Sequence, residues 1–126
     1  MSYRAPTKDM LFALKHLADY DQVQRLPAFA DADFDTAQAV IEECAKLCES
    51  VVAPLNAAGD QDPSSWKDGV VTTTPGFADA SRQYIEGGWQ GLQHPEEFGG
   101  QGLPKVVAAA CTEIVNSANM SFALCP

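Results

Sequence analysis

At 126 residues the chain has the length of one domain, enough to bury a core without metal or disulfide staples. Hydrophobic residues make up 46% and charged residues 20%, a balance that excludes a disordered chain. Eight Lys and Arg against 17 Asp and Glu leave a net charge of −9, which argues against nucleic acid or an anionic membrane as partner, since both recruit clusters of cations.

Residues 7–20 carry Met10, Leu11, Leu14, Leu17 and Ala18 at helical spacing, with Thr7 or Asp9 able to start the helix. A short turn follows over residues 21–26, and Pro27 ends it. The strongest helical signal runs from Asp35 to Ala58, capped by Asp33 or Asp35. There Val40, Ile41, Cys44, Leu47, Cys48, Val51, Val52 and Leu55 fall on one stripe. Pro54 removes a backbone donor and predicts a kink in the last turn. Residues 61–74 read as a loop, with a turn at Asp68-Gly69 and an extended piece over residues 70–73. Pro75 opens a helix to Glu86 that buries Phe77, Ala80 and Tyr84, with Ile85 a further candidate, and Gly87-Gly88 stops it. Residues 91–103 form a glycine-rich loop, and Trp66 and Trp89 read as packing residues. Pro104 opens a final helix predicted to reach the end of the chain. The expected fold is all-α: four substantial helices in a bundle-like domain with little or no sheet.

Residues 106–126 hold 14 apolar residues and one charge, Glu113, spread around the helical wheel. Asn116, Ser117 and Asn119 make this a poor membrane span. A helix apolar nearly all round needs cover nearly all round, so further chain or a partner is expected against it. Self-association through this last helix, led by Phe122 and Leu124, is the direct expectation. Asn116 and Asn119, three apart, could pair or serve as a satisfied polar helix end. Of the four cysteines, Cys44 and Cys48 share a helical face, and no CxxC occurs among Cys44, Cys48, Cys111 and Cys125. With only His16 and His94 to assist, the thiols read as buried small hydrophobes, and no metal site is expected. The first ten residues carry no signal-peptide core, and cytoplasm is the expected compartment.

The stretch GGWQGLQHPEEFGGQGLP, residues 87–104, resembles the N-terminal signature of the acyl-CoA dehydrogenase family. Gly88, Trp89, Gly91 and Leu92 match its first block, and Pro95, Glu96, Phe98, Gly99, Gly100, Gly102 and Leu103 its loop. Glu113 and residues 117–123 fit the helix that follows. YRAPTKDMLFAL, APLNAAGD, WKDGVVTTTPGF and NMSFALCP resemble a bacterial branch that includes methylthiopropanoyl-CoA dehydrogenase-like enzymes. The resemblance implies an N-terminal extension over residues 1–34 and a family domain over residues 35–126, incomplete at its C-terminal end. It implies a function: α,β-dehydrogenation of an acyl-CoA by an FAD enzyme. In that family a middle β domain holds much of the FAD, and a Glu of a C-terminal helical bundle takes the substrate α-proton. Neither is present here, so no catalytic or cofactor-binding residue is assigned, and Glu96, Glu97 and Glu113 sit in the wrong motifs. The implied partners are the missing flavin-binding and C-terminal domains, in cis or in trans. No FAD is expected on this chain alone. The end of the last helix, at Phe122, Ala123 and Pro126, matches the floor of the family's acyl pocket. The PEEFGG loop could approach a phosphate or be a structural turn. The alternative to a dehydrogenase domain is a non-enzymatic helical module, left by truncation, that self-associates or docks.

Overall fold

The computed structural model describes residues 2–124. Among these residues seven α-helices and one hairpin follow in order: α1 Thr7–His16, α2 Tyr20–Gln24, α3 Phe34–Leu47, α4 Leu55–Gln61, β1 Ser65–Lys67, β2 Val70–Thr72, α5 Phe77–Glu86, α6 Lys105–Ala118 and α7 Met120–Ala123. The fold is mostly helical, as the periodicity predicts, with α3 against α6 as its central pair.

The first predicted helix is shorter than expected. Asp19 adopts a left-handed conformation (φ 49°), which reverses the chain after α1. Tyr20 then turns fully inward, and its hydroxyl donates to the Ala32 carbonyl at 3.0 Å. The long predicted helix starts at Phe34, where the Asp33 carboxylate accepts from the Thr36 N–H at 2.7 Å. It does not run unbroken. Residues Cys48–Val52 form one π turn, in which the Ala53 N–H reaches the Cys48 carbonyl at 2.8 Å, and α4 begins after Pro54. A widened turn relieves the clash that a proline ring makes with the carbonyl four residues back.

Asp68 and Gly69 both have positive φ (51° and 82°), which makes a tight turn of the hairpin. Trp66 pairs with Val71 across the strands, yet both side chains are exposed, Trp66 by 72%. The expectation that Trp66 packs is therefore corrected: both strands are exposed at every position, so the indole stays largely in solvent. Trp89 is half-buried against the core. The helix expected from Pro75 starts two residues later, because buried Thr74 turns the chain first, its hydroxyl donating to the Asp62 carbonyl at 2.7 Å.

The last predicted helix breaks at Asn119, whose backbone is extended (φ −163°, ψ 95°). Its apolar surface is also covered more fully than composition suggests. Val107, Ala108, Cys111, Ile114, Val115, Ala118 and Phe122 are buried by the chain's own elements. Ala109, Met120 and Leu124 remain exposed. Phe122, expected to be exposed there, is thus buried. Asn116 and Asn119 do not pair: Asn116 donates to the Thr112 carbonyl at 2.9 Å.

Cys44, Cys48 and Cys111 are free, buried thiols at the α3–α6 contact, and Cys125 lies outside the described residues. The Cys44 thiol points at the Cys111 carbonyl (3.8 Å). Hydrogen bonding with Cys111 and Cys48, together with burial, pushes its pKa well up. Among the described residues no helix is long and apolar enough to cross a membrane.

Residues 2–6 strap the N-terminus to the π turn and to α6. Glu49 accepts from the Ala5 N–H at 3.0 Å and from Arg4 at 2.6 Å, and the Tyr3 hydroxyl shares a hydrogen bond with Ser117 at 2.7 Å. The Ala5 N–H, with Arg4 beside it, holds the Glu49 carboxyl below its ordinary value. A depressed carboxyl stabilises the folded state above its unfolded pKa, about 4.3, and loses that effect as pH falls through the lower folded value. The Ala5 amide resonance should therefore move toward its unstructured position on acidification below about pH 4, and Glu49→Gln should remove the titration. An Ala5 resonance unmoved by acid would show that the strap is held by other contacts.

Candidate functional site

Asn119 organises the end of the chain. It is 1% exposed. Its Oδ1 accepts from the Phe122 N–H at 3.1 Å and from the Ser121 hydroxyl at 2.7 Å, and its Nδ2 donates to the Val52 carbonyl at 3.3 Å. One buried side chain thus caps α7 and ties it to the π turn, beside Pro54, which has no N–H to contribute.

So held, α7 delivers Phe122 into an aromatic cluster. Its ring meets Phe77 edge-on at 6.0 Å and Tyr84 edge-on at 5.8 Å. Two grooves flank the cluster. The larger, about 510 Å³, is lined by Phe77 and Phe122 and rimmed by Ser64, Thr73, Ser81 and Ser121. The smaller, about 190 Å³, is lined by Tyr84, Trp89, Leu92, Cys111, Val115 and Ala123. The structure therefore separates two residues that the sequence reading groups: Phe122 floors the larger groove and Ala123 lines the smaller. Pro126, the third, lies outside the described residues.

Phe77, Ser81 and Tyr84 escaped the sequence reading as site residues. Their spacing of four and three puts them on one face of α5, a signal present in the sequence. That this face meets α7 is visible only in the packed structure.

Among the described residues, neither groove is lined by a charged side chain. Burial pushes the Tyr84 phenol up to about 12, so it stays neutral and is no base at physiological pH. Hydroxyls, rings and amides can bind and shape a ligand; none of them accepts a hydride or takes a proton at neutral pH. Glu96 and Glu97 lie in an exposed turn, and Glu113 is exposed on α6.

The loop of residues 91–103 folds back on itself. The Gly102 N–H donates to the His94 carbonyl at 2.9 Å, and the Leu103 N–H to the Leu92 carbonyl at 2.8 Å. A Cβ at Gly100 would come within 2.0 Å of that His94 carbonyl, so the glycine serves a close backbone crossing. The loop is a structural turn. The groove bordered by Lys105 also carries Glu113, so a diphosphate there would meet both signs of charge.

Among proteins of known activity, the chain is 46% identical to a 3-methylmercaptopropionyl-CoA dehydrogenase of Ruegeria pomeroyi, over all of this chain and 21% of that protein. It is 30% identical to a broad-specificity linear acyl-CoA dehydrogenase of Mycobacterium tuberculosis, over 93% of this chain and 20% of that one. The chain thus spans about a fifth of the length of these curated relatives. The family model for the acyl-CoA dehydrogenase N-terminal domain matches residues 34–126, which include α3 to α7, both grooves and the loop just described. The chain belongs to the acyl-CoA dehydrogenase family, and what it contains is that family's N-terminal domain.

Proposed function

We propose that this chain is the N-terminal domain of an FAD-dependent enzyme that introduces a double bond α,β to an acyl-CoA thioester. Its own part in the reaction is to bind and orient the acyl group. One observation carries this reading. The family match extends through α7, and there Phe122 floors a groove free of charged side chains, suited to the neutral acyl end of a thioester. Bound flavin would supply the hydride acceptor. Further chain, in cis or in trans, would hold that flavin and provide the base. Phe122 would contribute the acyl floor, and Ala123 would line the neighbouring smaller groove. The three free buried thiols fit a cytoplasmic setting.

The second reading is a non-enzymatic docking module. The exposed Trp66, Val70 and Val71 of the hairpin favour it.

Reconstitution separates the two. Purified with excess FAD, the chain alone is expected to form no stoichiometric yellow complex and to show no turnover with an artificial acceptor. Mixed with the flavin-bearing remainder of the Ruegeria relative, it should restore acyl-CoA-dependent bleaching of the flavin well above the remainder alone. No gain on mixing would defeat the dehydrogenase reading and leave the docking module.

A further inference from the structure

We infer that the hairpin is a docking arm: its Trp66–Val71 face seats in an apolar slot on the part of the dehydrogenase that lies outside this chain. The inference rests on the reading above for the existence of that part. The two strands alternate. Trp66 and Val71 are direct cross-strand partners on one face, while Ser65 pairs with Thr72 and Lys67 with Val70 on the other. An antiparallel ribbon of this kind turns its apolar face to a core and its more polar face to water. Here the apolar face meets no core: Trp66 is 72% exposed and Val71 65%. Every residue from 60 to 73 is exposed. The ribbon is tied down at its foot, where the Thr74 hydroxyl donates to the Asp62 carbonyl at 2.7 Å. Two strands of three residues gain little stability alone. An indole and a valine paired in water are therefore the centre of a contact whose other half lies elsewhere.

Position and charge name the occupant. Ser64 and Thr73, at the hairpin's foot, share the wall of the larger groove with Ser121 and Phe122 of α7. The matched family unit is an N-terminal domain, and this chain covers about a fifth of each relative. The rest of such an enzyme therefore leaves from α7, beside the hairpin. A second copy fits poorly. Residues 60–74 carry Asp60, Asp62 and Asp68 against one cation, Lys67, in a chain of net charge −9. A twofold contact sets each patch against its own kind, so carboxylates would face carboxylates. The complementary surface is an apolar slot with a basic rim.

The test mixes the 126-residue chain, labelled with fluorotryptophan, with the unlabelled flavin-bearing remainder of the Ruegeria relative. The chain has two tryptophans, and the fluorine resonance missing from Trp66→Ser is that of Trp66. In the free chain that resonance should differ between light and heavy water, as an indole in solvent does. On association it should shift and lose the difference, while Trp89, half-buried already, changes little. Trp66→Ser should weaken association about thirtyfold, as loss of a central aromatic anchor does. Val70→Ser, on the opposite face, should leave it within about twofold. Both positions are exposed, so both variants should melt with the parent. A Trp66 resonance still open to solvent in the complex, equal affinity in all three chains, or no association would overturn the inference. So would loss of the solvent difference on concentrating the chain alone, which would make a second copy the occupant. Flavin bleaching judges the reading above separately, in a single-chain fusion of the two parts where they do not associate. Association through Trp66 without acyl-CoA-dependent bleaching would sink that reading alone. Bleaching on mixing that Trp66→Ser leaves unchanged at limiting concentrations would sink this inference alone.

Discussion

Replacing Asn119 by Leu is expected to destabilise the fold by about 3 kcal/mol and to release α7 from the core. The leucine fills the volume but offers neither an acceptor to the Phe122 N–H nor a donor to the Val52 carbonyl, both buried at present. Each buried group stripped of its partner costs about 1–3 kcal/mol, against a total stability of about 5–15 kcal/mol for a domain of this kind. Asn119→Asp gives a second reading with a definite sign. A protonated Asp can still donate to the Val52 carbonyl, whereas the carboxylate would be buried against it. The folded pKa of that Asp would be raised above its unfolded value, about 3.9, so the variant should lose stability as pH rises through and above that value. Urea midpoints across pH, with the exchange rate of the Phe122 amide, measure both effects. A midpoint for Asn119→Leu equal to that of the parent would show that α7 is held by its rings alone.

A chain shortened to residues 35–126 is expected to lose cooperative folding. By sequence this piece coincides closely with the family match, yet the core does not respect that boundary. Leu14, Tyr20 and Ala32 belong to the same buried cluster as Ile41, Val107 and Ile114. Tyr20 packs edge-on against Phe34 at 5.9 Å, and Lys15 lies 4.5 Å over the face of the same ring. Burial of Leu14 and Tyr20 alone contributes about 3–6 kcal/mol, comparable to the whole margin of a small domain. Thermal melts followed by circular dichroism compare the two chains directly. A truncated chain that melts cooperatively within a few degrees of the parent would establish residues 1–34 as a dispensable appendage.

The comparison of the two elements around Pro54 and Asn119 shows where sequence patterns carry far and where they end. Helix α3 was legible because its cap, Asp33, and its apolar stripe act over a few residues. The hairpin turn was legible because Asp68-Gly69 tolerates positive φ locally. The interruption at Asn119 was not, since residues 115–124 continue a helical, mostly apolar pattern across it. What breaks the helix is a hydrogen bond to Val52, 67 positions earlier. The candidate site divides in the same way. Phe122 was legible from the family motif, and the partners that give it a role were not, because Phe77 and Tyr84 reach it only when α5 lies against α7.

From its own residues, then, the chain determined its helical class, the ends of its strongest helices, its hairpin turn and, through the resemblance, its family. Tertiary structure alone decided that the last helix is broken and largely covered, that Trp66 stands in solvent, and that Phe122 and Ala123 line different grooves. The physical reason is range. Period, caps and turns are set by contacts within a few residues, whereas burial, and the partners a buried polar group will find, are set by segments that meet only in the folded core.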